Sequence, residues 1–394
     1  MRPKSLISLG WLVFGVGALF AILYYVGKEE GRDNPMIKKV ENLVEGAEEE
    51  LGLKSRKEWG VKQTIHEHFD AWAGNEKEKN LSFVQVDKLV SSPHVTGDQA
   101  AALAAIHRGY FHTQPTSGGG EQRELLASLD ELLAAADKLE PFYRDGCQHL
   151  DQVDRQIFGP GAPTINGIAQ GHLADCYLIA TLGALAHHRP DEIRKLIRVR
   201  DDLSCDVTFH DGEFIHVPKL SDGLIVLSSR CGKQGLWLNI LETAYGKHRL
   251  AKENGRFDLP EDVLNYGYPA RVMQLLTGQA GKILALQGQG GASLDGVRDV
   301  LRSGVERKSV LVAMTGKKAK VPPGMIANHC YTILDFDAQA DKVKIWNPLG
   351  LNFEPKDLIG LEAAASIEHG YLTKGGVFEV PLTDFVRIYS WITY

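Results

Sequence analysis

An uncharged run from Leu6 to Val26, preceded by the basic segment Met1-Arg2-Pro3-Lys4, constrains this chain more than any other stretch. As a helix it would span about 30 Å, the hydrocarbon thickness of a bilayer. Trp11 lies near one end and Tyr24 and Tyr25 at the other, where aromatic belts form. Lys28, Glu29, Glu30 and Arg32 then stop it. A secretory signal would have a shorter apolar core and a small-x-small cleavage site, whereas Tyr24-Tyr25-Val26 stands here. The expectation is therefore a single-pass membrane anchor at residues 6–26, within an N-terminal segment 1–28. The positive flank places it in the cytoplasm and the rest of the chain outside. The alternative is cleavage and secretion.

The remaining chain divides by texture. Residues 34–150 read as an all-helical region, with apolar residues at helical spacing over Pro35–Leu53 and Lys57–Trp72. Thr96-Gly97-Asp98 reads as the capped start of a helix over Gln99–Tyr110. Pro115 to Gly120 is the clearest linker, within 115–121, and a helix is expected over Glu121–Leu139. From about 155 to 394 glycine becomes frequent and short β-branched runs appear at Asp206–His210, Phe214–Val217, Gly223–Leu227 and from Cys330 onward. This mixture reads as α+β.

Charge and cysteine content exclude several functions. The formal net charge is -6 and no strongly basic domain stands out, which argues against nucleic acid as a partner. Cys147, Cys176, Cys205, Cys231 and Cys330 form no C-x-x-C pair, so a structural zinc site has no support. Their odd number leaves at least one thiol unpaired within the chain. No EF-hand loop exists. Gly288-Gln289-Gly290-Gly291 lacks the lysine of a P-loop and reads as a loop before a helix capped by Ser293. His66 and His68 are two apart and would face opposite sides of a helix. His187 and His188 end the helix that follows Cys176, where the dipole favours cations.

The chemistry concentrates around one cysteine. Gln170-Gly171-His172-Leu173-Ala174-Asp175-Cys176-Tyr177-Leu178 leads into an apolar stretch with no breaker until Pro190, which suits a buried helix beginning near Cys176. A thiol at a helix N-terminus is more readily the thiolate, its nucleophilic form. By itself this pattern also suits mere packing.

Gln-Gly-x-Leu-x-Asp-Cys-aromatic-Leu resembles the active-site signature of calpain-family, papain-like cysteine peptidases. Asn328-His329-Cys330-Tyr331 resembles that family's histidine strand, and Ile345-Trp346-Asn347-Pro348-Leu349-Gly350 its asparagine element. Trp237–Lys247, Leu276-Thr277-Gly278 and Gly376 to Phe385 match further segments in the family's order. The resemblance implies a papain-like cysteine protease fold over 155–394, with a helical subdomain carrying the cysteine and a β-rich subdomain carrying histidine and asparagine. It implies an endopeptidase with Cys176 as nucleophile, His329 as base, Asn347 as its orienter, and Gln170 with the Cys176 N–H in the oxyanion hole. The partner implied is a protein or peptide substrate. The residues require no cofactor; the resemblance raises calcium without assigning ligands to this chain. Asp335 to Asp341 reads as a turn between two strands, whose pairing would bring His329 and Asn347 together. Cys330 should point away from the face that His329 takes, into the core.

Three departures bear on function. Ala174 replaces a usual glycine, Tyr177 a tryptophan, and Leu349 the tryptophan that shields the His–Asn pair from water. These keep two other readings open: a catalytically weak or inactive binding module on the same fold, and another papain-like acyl-transfer enzyme. The helical region would be a spacer, a propeptide-like inhibitor or a partner-binding module.

Overall fold

Val61, Ile65, Phe69 and Trp72 recur at helical spacing and are all buried, the packed face of the first helix in the described chain. The structure, a computed structural model, describes residues 60–394 apart from 75–78, 114–124, 172, 253–259, 289 and 356–364. The apolar run at 6–26, the helix expected at Pro35–Leu53 and the whole 115–121 linker lie outside these. Among the described residues no helix is long and apolar enough to cross a membrane. Val61–Tyr394 forms one unit.

Its first part contains α1 (Val61–Ala73), β1 (Asn80–Ser82), α2 (Phe83–Val90), α3 (Gly97–Ala105), β2 (Leu126–Ser128), α4 (Leu129–Ala134) and α5 (Ala136–Gln152), with α3 running into a π-helical turn at Ile106–Tyr110. This region is not all helical, because β1 and β2 pair antiparallel. Nor does one helix run from 121 to 139. The Ser128 hydroxyl accepts the Glu131 N–H while the Glu131 carboxylate accepts the Ser128 N–H, a reciprocal cap that starts α4 at Leu129. Thr96 makes no side-chain cap on α3; the Gly97 N–H instead donates to Asp222 Oδ2 at 2.9 Å.

The second part continues with α6 (Cys176–His188), α7 (Pro190–Leu196), β3 (Ile197–Val199), β4 (Cys205–Thr208), β5 (Phe214–Val217), α8 (Asp222–Leu227), α9 (Trp237–Leu250), α10 (Pro269–Thr277), β6 (Ile283–Ala285), α11 (Leu294–Glu306), β7 (Val312–Thr315), β8 (Cys330–Asp337), β9 (Lys342–Trp346), β10 (Val377–Pro381), α12 (Leu382–Ile388) and β11 (Tyr389–Thr393). Mixed helix and sheet of this kind is an α+β architecture. The strand expected at Gly223–Leu227 is a helix, α8, because Ser221 caps it through the Leu224 N–H and its short apolar run fits either state.

Strands β10-β9-β8-β7-β11-β6 form one sheet and β3-β4-β5 a second. Along β8, Cys330 and Leu334 join the core that holds α6, while Tyr331, Ile333 and Phe336 join the core on the other face. The two-residue period therefore turns one side of β8 toward α6. The Thr332 hydroxyl donates to the Ala180 carbonyl at 2.6 Å and ties strand to helix.

Gly183 permits this approach. A Cβ there would lie 2.4 Å from the ring of Trp346, which is buried. Gly183→Ala should therefore destabilise the full chain by about 2 kcal/mol, since overpacking exceeds the helix-propensity gain of about 1 kcal/mol. Urea unfolding checks this; unchanged or raised stability would show that the helix and strand can separate freely.

Candidate active site

The α6 run from Tyr177 to Ala186 is buried on every side, which is why the helix sits in the core and not on a surface. Its first residue, Cys176, opens into a cavity of about 450 Å³ lined also by Gln170, Ala174, Tyr177, Tyr266, Gly267, Tyr268, Met314, Asn328, His329 and Cys330. No described residue before Gln170 lines it, so the described helical region does not plug the cleft in the manner of a propeptide.

His329 and Asn347 arrive on neighbouring strands. Thr332 pairs with Trp346 and Ile333 with Ile345 across β8 and β9, and the Asp337 carboxylate accepts the Gln339 and Ala340 N–H groups in the connecting turn. This register leaves His329 just before β8 and Asn347 just after β9. His329 Nε2 lies 2.9 Å from Asn347 Oδ1. The asparagine is held in turn: its N–H donates to the Gly376 carbonyl, and its Oδ1 also accepts the Leu349 N–H. Gly376 has φ +81°, and a Cβ there would come within 2.5 Å of the Asn347 carbonyl. With Nε2 committed to Asn347, the other ring nitrogen is left for Cys176, which lines the same cavity. His329 is 5 % exposed and Asn347 2 %, so the pair is shielded even though Leu349 stands where a tryptophan was expected to do so.

The Cys176 thiol is pulled down to about 4. The largest cause is a hydrogen bond from the Cys330 thiol, joined by the hydrogen bond and charge of His329, and opposed by burial. Cys330 is pushed the opposite way by the same contact and by burial, so the proton of the thiol pair stays on Cys330. Burial pushes Cys147 and Cys205 up to about 11 and Cys231 up to about 12. Of the five free cysteines, Cys176 is alone in being both accessible and held as thiolate.

Cys330 follows the alternation expected of it and is 1 % exposed, but the face it points to carries α6, and its thiol meets Cys176. Sequence reasoning placed it in the core and missed this contact, for which a lone cysteine in a strand gives no signal.

Gln170 is brought to the cavity, anchored by its N–H on the Pro348 carbonyl at 2.8 Å. Its amide Nε2 donates inward, to the Leu173 carbonyl at 2.7 Å and to Asp175 Oδ1 at 3.2 Å. Asp175 is fully buried, as is Glu242, which acts on it electrostatically and accepts the Ser229 N–H at 2.9 Å. Burial, the largest cause, holds Asp175 up to about 7. A single charged residue within the buried stretch Trp237–Gly246 of α9 was the available signal for Glu242.

Two further histidines differ from expectation. His188 is pulled down to about 4, chiefly by burial, and His187 is lowered for the same reason, so desolvation outweighs the helix dipole at the end of α6. Among the described residues Asp211, Glu213 and His248 could hold a metal ion. His248 Nε2 contacts Asp211 at 2.8 Å and Glu213 at 3.3 Å, but Lys252 Nζ lies 3.3 Å from the same nitrogen. A buried imidazole with an ammonium beside it does not fit calcium, which takes oxygen ligands; the group reads as an ion-pair network.

A family model described as calpain family cysteine protease matches residues 151–356, just over half of the chain and inclusive of Gln170, Cys176, His329 and Asn347. No curated protein matches the sequence.

Proposed function

We propose, since this chain belongs to the calpain family of cysteine proteases, that it is a cysteine endopeptidase in which Cys176, His329 and Asn347 act as the triad. The observation that carries this reading is the placement of Cys176 in a cleft beside a histidine oriented by a buried asparagine, with the thiol drawn down toward its thiolate form. The thiolate attacks the carbonyl carbon of a peptide bond, and the carbonyl oxygen takes the negative charge. His329, carrying a proton, gives it to the leaving amine as the tetrahedral adduct collapses to a thioester. Water then attacks the thioester with His329 taking its proton, and Cys176 departs as thiolate. Asn347 keeps the imidazole in plane for both transfers.

The Cys176 N–H, at the start of α6 where helix N–H groups lack intrahelical partners, is one donor for the oxyanion. Gln170 is the second, on turning one amide hydrogen from Leu173 or Asp175 into the cleft. Its inward engagement favours a second reading, a latent enzyme or binding module whose cleft is complete except for this donor. No step is routed through calcium.

The test is cleavage of denatured casein by the full chain, with calcium or with a chelator, before and after treatment with iodoacetamide. Cleavage that alkylation abolishes is expected. Cleavage indifferent to alkylation would sink the cysteine mechanism, and no cleavage under either condition would favour the second reading.

A further inference from the structure

The thiol pair at the cleft has a use that peptide hydrolysis does not need. Cys176 begins α6 and Cys330 begins β8, and the alternation of β8 turns Cys330 onto the face where α6 packs. Both residues line the same cavity and pack into the same core, and the Cys330 thiol is the largest influence on the Cys176 sulfur. Neither is in a disulfide. An S–S bond needs the sulfurs to close to about 2.0 Å. Each cysteine is the end residue of its element.

We propose that Cys330 is a resolving thiol: a hydroperoxide entering the cleft oxidises Cys176, and Cys330 captures the product as a Cys176–Cys330 disulfide. The inference rests on the reading of Cys176 as an accessible thiolate. In the first step the Cys176 thiolate attacks a peroxide oxygen. The S–O bond forms, the O–O bond breaks, and hydroxide leaves to become water, giving a sulfenic acid. In the second, the Cys330 sulfur attacks the Cys176 sulfur. The S–S bond forms, the S–O bond breaks, and the Cys330 proton leaves with the hydroxyl as water. Two thiols lose two electrons and two protons, and hydrogen peroxide becomes two waters.

The two cysteines suit different halves of this sequence. The thiolate is the group that attacks peroxide. Cys330, protonated and buried, resists direct oxidation and lines the same cavity as the sulfur it must attack. The other free thiols are poorly suited: Cys231 donates to the Gly235 carbonyl at 2.9 Å, Cys205 is buried, and Cys147 is directed at Asp98. Capture as a disulfide would also keep Cys176 from the irreversible sulfinic acid.

The test treats the full chain at pH 7 with about two equivalents of hydrogen peroxide, enough to carry one thiol to the sulfinic acid, blocks remaining thiols with iodoacetamide, and reads intact mass and cross-linked peptides. The expected result is a loss of about 2 Da, the two hydrogens of a disulfide, with a single Cys176–Cys330 peptide pair and full recovery of both thiols by dithiothreitol. In Cys330→Ala the same dose should convert Cys176 to the sulfinic acid, about 32 Da heavier and not recovered. Wild-type chain that gives sulfinic acid without cross-link, or pairs Cys176 with another cysteine, overturns the inference without reference to any variant. Casein cleavage by the untreated sample separates the two claims. A disulfide in a chain that cleaves nothing supports the dithiol and counts against the protease reading; cleavage without a disulfide does the reverse.

Discussion

Cys176→Ala should lower kcat/KM for casein or a peptide substrate by about ten-thousandfold or more, and His329→Ala by nearly as much, because members of such a triad act as one unit. The two differ in what remains. With alanine at 176 no sulfur is left at the cleft entrance. With alanine at 329 the thiol persists, still hydrogen-bonded by Cys330 but without the imidazole charge. Alkylation by iodoacetamide distinguishes these cases. The folded thiol is depressed to about 4, so the thiolate is present above that pH and is lost as pH falls through it. Wild-type Cys176 should therefore alkylate at nearly the same rate at pH 7 and pH 5, where an ordinary thiol slows roughly a hundredfold. His329→Ala should steepen that dependence. A wild-type profile that falls like an ordinary thiol would remove the thiolate from the account, and with it the main physical support for nucleophilic catalysis.

Gln170→Ala should lower kcat by about a hundredfold to a thousandfold with KM changed less than about threefold, the signature of a donor used only when charge develops on oxygen. The side chain also has a structural task, since its Nε2 bonds Leu173 and Asp175 and so orders the loop before Cys176. The two roles separate by measurement. A purely structural glutamine would show a fall in thermal stability, with kcat recovering as the temperature is lowered. An oxyanion donor would show the kcat deficit at every temperature at which the chain is folded. Unchanged kcat in a folded variant would leave the Cys176 N–H as sole donor and remove Gln170 from the oxyanion hole.

The resulting picture gives the helical region a supporting position. It packs against α8 through Val226, Leu227 and the Gly97–Asp222 contact, and Arg230 is paired with Asp145 of α5. It also reaches the buried charge beneath the cleft, because the positive charge of Arg108 acts on Asp175. That places it behind the catalytic loop, away from the mouth of the cavity.

The sequence by itself determined what depends on local order. The apolar stretch after Cys176 makes a buried helix wherever it is put. The strand–turn–strand from Cys330 to Trp346 closes in one register because its turn residues and alternation agree, and closing it sets His329 against Asn347. The Ser293 cap is equally local. Local order was insufficient where two states fit one short stretch. Gly223–Leu227 is apolar enough for a strand, and Ser128, by capping α4, broke a helix that leucine spacing alone would have continued. Only the tertiary structure decided the electrostatics of the site. That Cys330 leaves the histidine's face follows from a two-residue period. That the opposite face carries Cys176 depends on where α6 docks, which Gly183 and Thr332 settle through contacts made across distant parts of the chain. The raised carboxyl of Asp175 and the inward turn of Gln170 have the same origin. Burial and hydrogen bonding fix the charge of a side chain, and both are properties of its neighbours in space, which a one-dimensional pattern does not specify.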